Sequence, residues 1–122
     1  MIIAMVLGLG AGFFMGFFFN ISYPTEFSFY ITMGLLAAMD SIVGAAKSHL
    51  QDKYNGAIFI TGFLTNAFLA GLLTFVGDKL GVPLYYAAIL VFGGRLFNNL
   101  AVIRRIALEK FMKKKNEKIS DK

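Results

Sequence analysis

The chain has 122 residues, a formal net charge of +5 and 57% hydrophobic residues at a mean hydropathy of +0.68, too apolar for so short a chain to hide in one soluble core. Lipid is therefore expected to form part of its solvent. Cysteine is absent, which excludes disulfides, thiolate catalysis and Cys-ligated metals and leaves the redox compartment open.

Four apolar stretches, 2–19, 29–46, 57–76 and 84–103, fill most of the chain, each near the roughly 20 residues that cross a ~30 Å hydrocarbon core at 1.5 Å rise per residue. The expected fold is all-α: a polytopic bundle of four transmembrane helices over 1–105, then a basic C-terminal helical tail over 106–122. The first stretch is long and Phe-rich, with no basic segment before it and no small-residue cleavage site, so it reads as an uncleaved span and not a signal peptide. Ala4, Gly8, Gly12 and Gly16 recur every four residues in it, a small-residue stripe where another backbone can approach closely. Either the stripe packs within its own bundle or it forms a homo-oligomeric contact. A phosphate cradle at Gly8, Gly10 and Gly12 is disfavoured, because the glycines lie inside an apolar run with no strand before them.

The second and fourth stretches each carry a charge, Asp40 and Arg95, and the third carries Asn66. Counted from the Lys47, Gly56 and Arg104 ends of their helices, these residues lie seven, ten and nine positions in, which is about 10 to 15 Å deep in every case at helical rise. They share a plane. An unpaired charge at that depth costs at least ~2.5 to 3.5 kcal/mol, so Asp40 and Arg95 are expected to pair, with Asn66 and Asn98 or Asn99 satisfying the remaining groups. Arg95, Asn98 and Asn99 stand at i, i+3 and i+4 on one face, and Gly62, Asn66 and Ala70 give the third helix a small, polar face to meet it. This intramembrane polar cluster reads either as a purely structural network that fixes helix register or as one that also handles an ion, proton or partner.

Of the twelve basic residues, eight lie at or beyond Arg104. With Lys47 and Lys53 in the second connection they make ten on one side, against Lys79 alone opposite and Arg95 inside a span. The positive-inside rule then places both termini in the cytoplasm. Tyr23, Tyr30, Tyr85 and Tyr86 cluster near the other ends of the spans, as interfacial aromatics do, and Pro24 and Pro83 mark the outer connections. Because the basicity belongs to a tail and not to a fold face, no nucleic-acid partner is expected. In that tail Leu108, Phe111 and Met112 recur at helical spacing among Arg104, Arg105, Lys110, Lys113, Lys114 and Lys115. That pattern suits a helix lying on anionic inner-leaflet lipid, with a solvated stop-transfer tail as the alternative. The run 116–122 is expected to be disordered.

Catalytic readings find little support. His49, the single histidine, and Asp52 offer two metal ligands where zinc needs at least three from protein; Ser48 and His49 point to different helix faces; and no two carboxylates are placed for acid and base work, since Asp40 stands alone and Glu26 and Asp78 lie in separate connections. No enzyme activity, metal or cofactor is expected.

The segments AAMDSIVGA at 37–45, FITGFLTNAFLAGLL at 59–73, GDKLGV at 77–82 and FGGRLFNNLAVIRR at 92–105 resemble the bacterial small basic protein family of integral membrane proteins. Before them the resemblance rests on FFFNISYP at 17–24 and on the Gly and apolar character of the first stretch. The resemblance implies a multi-pass protein of the bacterial cytoplasmic membrane and, from the genes that commonly neighbour the family, a link to cell division or envelope assembly. It implies no activity. Two functional expectations remain: a non-catalytic membrane interaction or scaffold protein that assembles with itself or with a membrane partner through small-residue helix faces, or a small oligomeric channel or transporter lined by the Asp, Asn and Arg cluster.

Overall fold

The computed structural model describes residues 2–20, 22 and 24–121. They form four α-helices: α1 (Ile2–Phe18), α2 (Ser28–Leu50), α3 (Gly56–Leu80) and α4 (Tyr85–Ser120), with a single 3₁₀ turn (Thr25–Phe27) leading into α2. Among the described residues there is no strand.

Local chemistry sets the helix boundaries. Pro24 precedes the 3₁₀ turn, and the Thr32 hydroxyl donates to the Ser28 carbonyl in the first turn of α2. α2 stops where Asp52 takes a left-handed φ of 57°, a conformation Asp tolerates better than most residues. Asn55 then caps α3, its side-chain oxygen accepting from the backbone N–H groups of Ala57 at 2.9 Å and Ile58 at 3.3 Å. α3 ends on Gly81, whose φ of 66° closes a left-handed cap with its N–H donating to the Gly77 carbonyl. Gly77 is itself required by the return of the chain: a Cβ there would lie 2.5 Å from the Val82 carbonyl oxygen and 3.0 Å from the Leu84 nitrogen.

α2 is the central element, packed closely against both α3 and α4, which touch each other much less. Met33 and Ala37 of α2, Ala70 of α3 and Ala88 and Phe92 of α4 form the buried core, with Leu36, Ala67, Leu73, Tyr85 and Ile89 against it. Three alanines at the crossing let the backbones approach, which is how helices gain dispersion contact where lipid removes any hydrophobic drive between them. Outward, Phe68, Leu90 and Phe97 are more than 70% exposed, a surface suited to acyl chains. Beyond the core the Tyr30 hydroxyl donates to Asp78 at 3.3 Å and Phe29 stacks on Tyr85 at 4.8 Å. Tyr23, expected at this end with Tyr30, Tyr85 and Tyr86, lies outside the described residues.

Three helical segments, Thr25–Leu50, Gly56–Leu80 and Tyr85–Ser120, are long and apolar enough to cross a membrane. α1 is shorter: its 17 residues measure about 25 Å, at the lower limit for a span. α4 runs through 36 residues without a break across the boundary expected at 105/106, and the helix persists to Ser120, where the sequence suggests disorder from residue 116. Continuing i to i+4 hydrogen bonding explains the difference, because Lys113 to Ser120 are all compatible with helix once a span nucleates it. Lys122 lies outside the described residues.

Candidate functional site

The three packed helices change character at one level. On the side of Asp40, Asn66 and Arg95 toward Ser28, Leu80 and Tyr85 lies the apolar core; on the other side the helices frame an open cavity of about 420 Å³, in which polar and charged side chains stand among apolar walls that include Ile58, Phe59 and Phe63. The cavity runs from this plane to the α2–α3 connection, lined by Ser41, Gly44, Lys47 and Ser48 of α2, Lys53, Tyr54 and Asn55 of the connection, Gly62 and Asn66 of α3 and Arg95, Asn98 and Asn99 of α4, among others.

Asp40 forms the floor. It is fully buried (0%), and its Oδ2 accepts from Arg95 Nη2 at 3.2 Å and from Asn66 Nδ2 at 3.4 Å, joining all three helices at one carboxylate oxygen. Its other oxygen, Oδ1, is buried without a hydrogen-bond partner, as is the hydroxyl of Ser41, the next residue of α2. The Arg95 side chain is 51% exposed, so one end of the pair is sealed in protein and the other opens to its surroundings. Nearer the connection, Lys47 Nζ donates to Asn99 Oδ1 at 2.9 Å, a bond that ties α2 to α4 a second time. A Cβ on Gly44 would sit 3.7 Å from Asn99 Nδ2, ordinary contact distance, so the small residue marks where α4 lies over α2.

The structure thus brings Asp40, Asn66 and Arg95 together in the expected plane and places Asn98 and Asn99 in the same cavity. Asn99 is engaged by Lys47 and not by the Asp40–Arg95 pair. Gly62 lines the cavity wall, with nothing within 4 Å of where its Cβ would be, so it opens space and does not seat a neighbouring backbone. The stripe on α1 is unoccupied: Ala4, Gly8, Gly12 and Gly16 are exposed, and nothing lies within 4 Å of a Cβ at any of the three glycines. Arg104, Arg105, Lys110, Lys113, Lys114 and Lys115 are exposed along the end of α4 and lie outside the cavity wall.

Sequence reasoning passed over Ser41, Lys47 and Lys53 as parts of a site. A signal for the first two existed: Asp40, Gly44 and Lys47, and beside them Ser41, Ala45 and Ser48, recur at i, i+4 and i+7, a small and polar face on an otherwise apolar helix. Lys53 carried no such signal, because only the turn at Asp52 brings it back over the cavity.

Helices of this length and apolarity, joined by an ion pair whose carboxylate is sealed between them, define a multi-pass helical membrane protein. A family model described as "Protein of unknown function (DUF1290)" matches residues 23–108, all of α2 and α3 and most of α4. The chain is 46% identical over 114 residues to a protein named "Small basic protein" from Bacillus subtilis (strain 168), covering 93% of this chain and 94% of the relative. It is 32% identical over 102 residues to "Uncharacterized protein Mb1855" of Mycobacterium bovis and to "Uncharacterized protein Rv1824" of Mycobacterium tuberculosis, covering 82% of this chain and 84% of each relative. The chain belongs to this family, that of the small basic proteins. No solved structure matches it.

Proposed function

We propose that this protein is a non-catalytic interaction protein of the bacterial cytoplasmic membrane, in which α1 is a fourth span, both termini are cytoplasmic and the basic end of α4 rests against anionic inner-leaflet lipid. The observation that carries the reading is the unpartnered α1. The other three helices satisfy one another around α2, while α1 presents an exposed Ala4 and Gly8, Gly12 and Gly16 with nothing within 4 Å of where their Cβ atoms would be. A small-residue stripe in lipid gains contact only where a second helix approaches it, so an open stripe is a surface for a second copy or for a helix of a membrane partner. The family resemblance directs the search for such a partner to the division and envelope-assembly machinery.

Affinity purification from native membranes, with wild type beside Gly12→Ile and Phe18→Ile, tests it. Self-association by light scattering in mild detergent and the set of co-purifying membrane proteins should both be lost in Gly12→Ile, whose branched side chain pushes two backbones apart, and kept in Phe18→Ile. Equal assembly of the two variants would remove α1 from the function.

The polar cavity favours a second reading, an oligomeric channel or transporter. Against conduction through one protomer, Met33 and Phe92 lie 1% and 4% exposed beyond Asp40, so apolar packing blocks the way past the floor. A path would have to run between protomers. Ion or solute flux in liposomes that is lost in the Asp40→Asn, Arg95→Gln double variant would support that reading over the first.

A further inference from the structure

The cavity's charge does not balance. Its wall holds Lys47, Lys53 and Arg95 against the single carboxylate of Asp40, and that carboxylate is already paired with Arg95. Lys47 is held by a neutral amide, and among the described residues Lys53 makes no side-chain hydrogen bond or ion pair. Asp52 is in the same connection, yet it stays outside the wall. Two ammonium groups therefore stand at the mouth with no counter-charge across from them. At the floor the deficit is in hydrogen bonds: Asp40 Oδ1 lacks a donor, and the buried Ser41 hydroxyl lacks any partner. Arg95 adds more capacity, because its guanidinium carries five N–H donors, the ion pair engages one terminal nitrogen, and the side chain is half exposed in the wall.

A ligand that answers all of this is anionic at one end and hydroxyl-bearing at the other. Phosphate matches the mouth, since lysine ammonium groups bind it as point charges and guanidinium forks match its oxygens. A polyol matches the floor, because one hydroxyl can donate to Asp40 Oδ1 while another accepts from Ser41, the two side chains leaving α2 in different directions. The volume of about 420 Å³ lies within the range of small-ligand sites and is far larger than a single ordered water needs. We propose that the cavity between α2, α3 and α4 binds a polyol phosphate of the phosphoglycerol type, its phosphate between Lys47, Lys53 and Arg95 and its hydroxyls on Asp40 and Ser41. The same chemistry has two sources, the headgroup of an anionic phospholipid entering from the membrane and a free glycerol phosphate entering from water. The site is separate from the α1 stripe and does not depend on it.

Native mass spectrometry of the full chain in a neutral detergent tests the proposal, with short-chain phosphatidylglycerol, short-chain phosphatidylcholine, free glycerol phosphate and inorganic phosphate as probes. Phosphatidylglycerol should be retained at least about tenfold more tightly than phosphatidylcholine. Free glycerol phosphate bound as tightly as phosphatidylglycerol identifies the soluble source; retention of the lipid alone identifies the headgroup. Lys53→Glu, at a residue with no side-chain bond to lose, and Lys47→Ala with Lys53→Ala should each weaken retention about tenfold or more. Ser41→Ala should weaken the hydroxyl-bearing probes and leave inorganic phosphate unchanged, a distinction that a general loss of stability would not produce. Lys113→Ala with Lys114→Ala and Lys115→Ala, on the exposed end of α4, should change retention less than about twofold. Equal retention of the two lipids, a loss that follows the α4 lysines and not Lys47 and Lys53, or no retention of any phosphate probe would each overturn the proposal.

Discussion

The Asp40–Arg95 pair makes an asymmetric prediction, because its two ends differ in environment. Arg95→Gln strands Asp40 at 0% exposure, with a 3.4 Å bond from Asn66 as its remaining partner and Oδ1 still without a donor. Deleting one partner of a buried pair costs about 3 to 5 kcal/mol, and the sealed carboxylate puts this variant at about 3. Asp40→Asn strands Arg95 instead, but that side chain is 51% exposed and borders a cavity large enough for water, so the loss is nearer that of one charged hydrogen bond, about 1.5 kcal/mol. In the double variant no charge is left buried, and the cost should be about 2 kcal/mol, which gives a coupling of roughly 2.5. Reversible unfolding in mixed micelles on titration with sodium dodecyl sulfate, followed by far-ultraviolet circular dichroism, measures all four proteins on one scale. Additivity within about 0.5 kcal/mol would mean that the two charges do not interact, and a costlier Asp40→Asn would mean that the exposure of the pair is reversed.

Two further outcomes follow from the connections and the topology. Gly77→Ala should destabilise the α3–α4 turn by about 1 to 3 kcal/mol in the same titration, since its Cβ would press on the Val82 carbonyl oxygen at 2.5 Å and the backbone there must shift; Gly81→Ala should cost about 1 kcal/mol for the left-handed cap, and wild-type stability in Gly77→Ala would show that the turn is looser than drawn. Topology reporters inserted at Lys53 and after Lys122 should read cytoplasmic, those near Thr25 and Gly81 external, and one at the N-terminus cytoplasmic. An external N-terminus would mean that α1 does not span, and an external tail would overturn the orientation altogether.

The helices were legible in the sequence because the bilayer imposes a length. α2, α3 and α4 each exceed the roughly 20 residues needed, and their ends carry readable chemistry in Asn55 and Gly81. The Asp40–Arg95 contact was legible for the same reason: two opposite charges at equal depth in an apolar medium have few other ways to be satisfied. What the sequence hid was arrangement. Nothing in the pattern of α3 and α4 says that α2 lies between them, so Asn98 or Asn99 was expected to serve the Asp40–Arg95 pair where Asn99 accepts from Lys47 instead, and Gly62 was read as a packing residue when it lines a cavity. The glycines of α1 were read correctly as small, but smallness says only that a neighbour can approach, and here none of the other helices does.

The cavity has a physical origin in the central place of α2, which spends its Ser28-side half on the core of Met33 and Ala37 and its other half on Asp40, Gly44 and Lys47. The small residues that let α4 come close at Ala37 and Ala88 are followed within two turns by polar side chains that need room and hydration. Helices tight at one end and polar at the other therefore splay around a void, and the void lies toward the end where Lys47 and Lys53 gather. Stripping the floor of its hydroxyl would separate packing from hydrogen bonding: Ser41→Ala is close in volume but removes the buried, unpartnered hydroxyl of the residue next to Asp40, so the bundle should keep or gain stability while any ligand held through that hydroxyl is lost. A variant that instead unfolds would mean that Ser41 has a structural partner, a buried water bridging it to Asp40, and that the cavity floor belongs to the fold and not to a ligand.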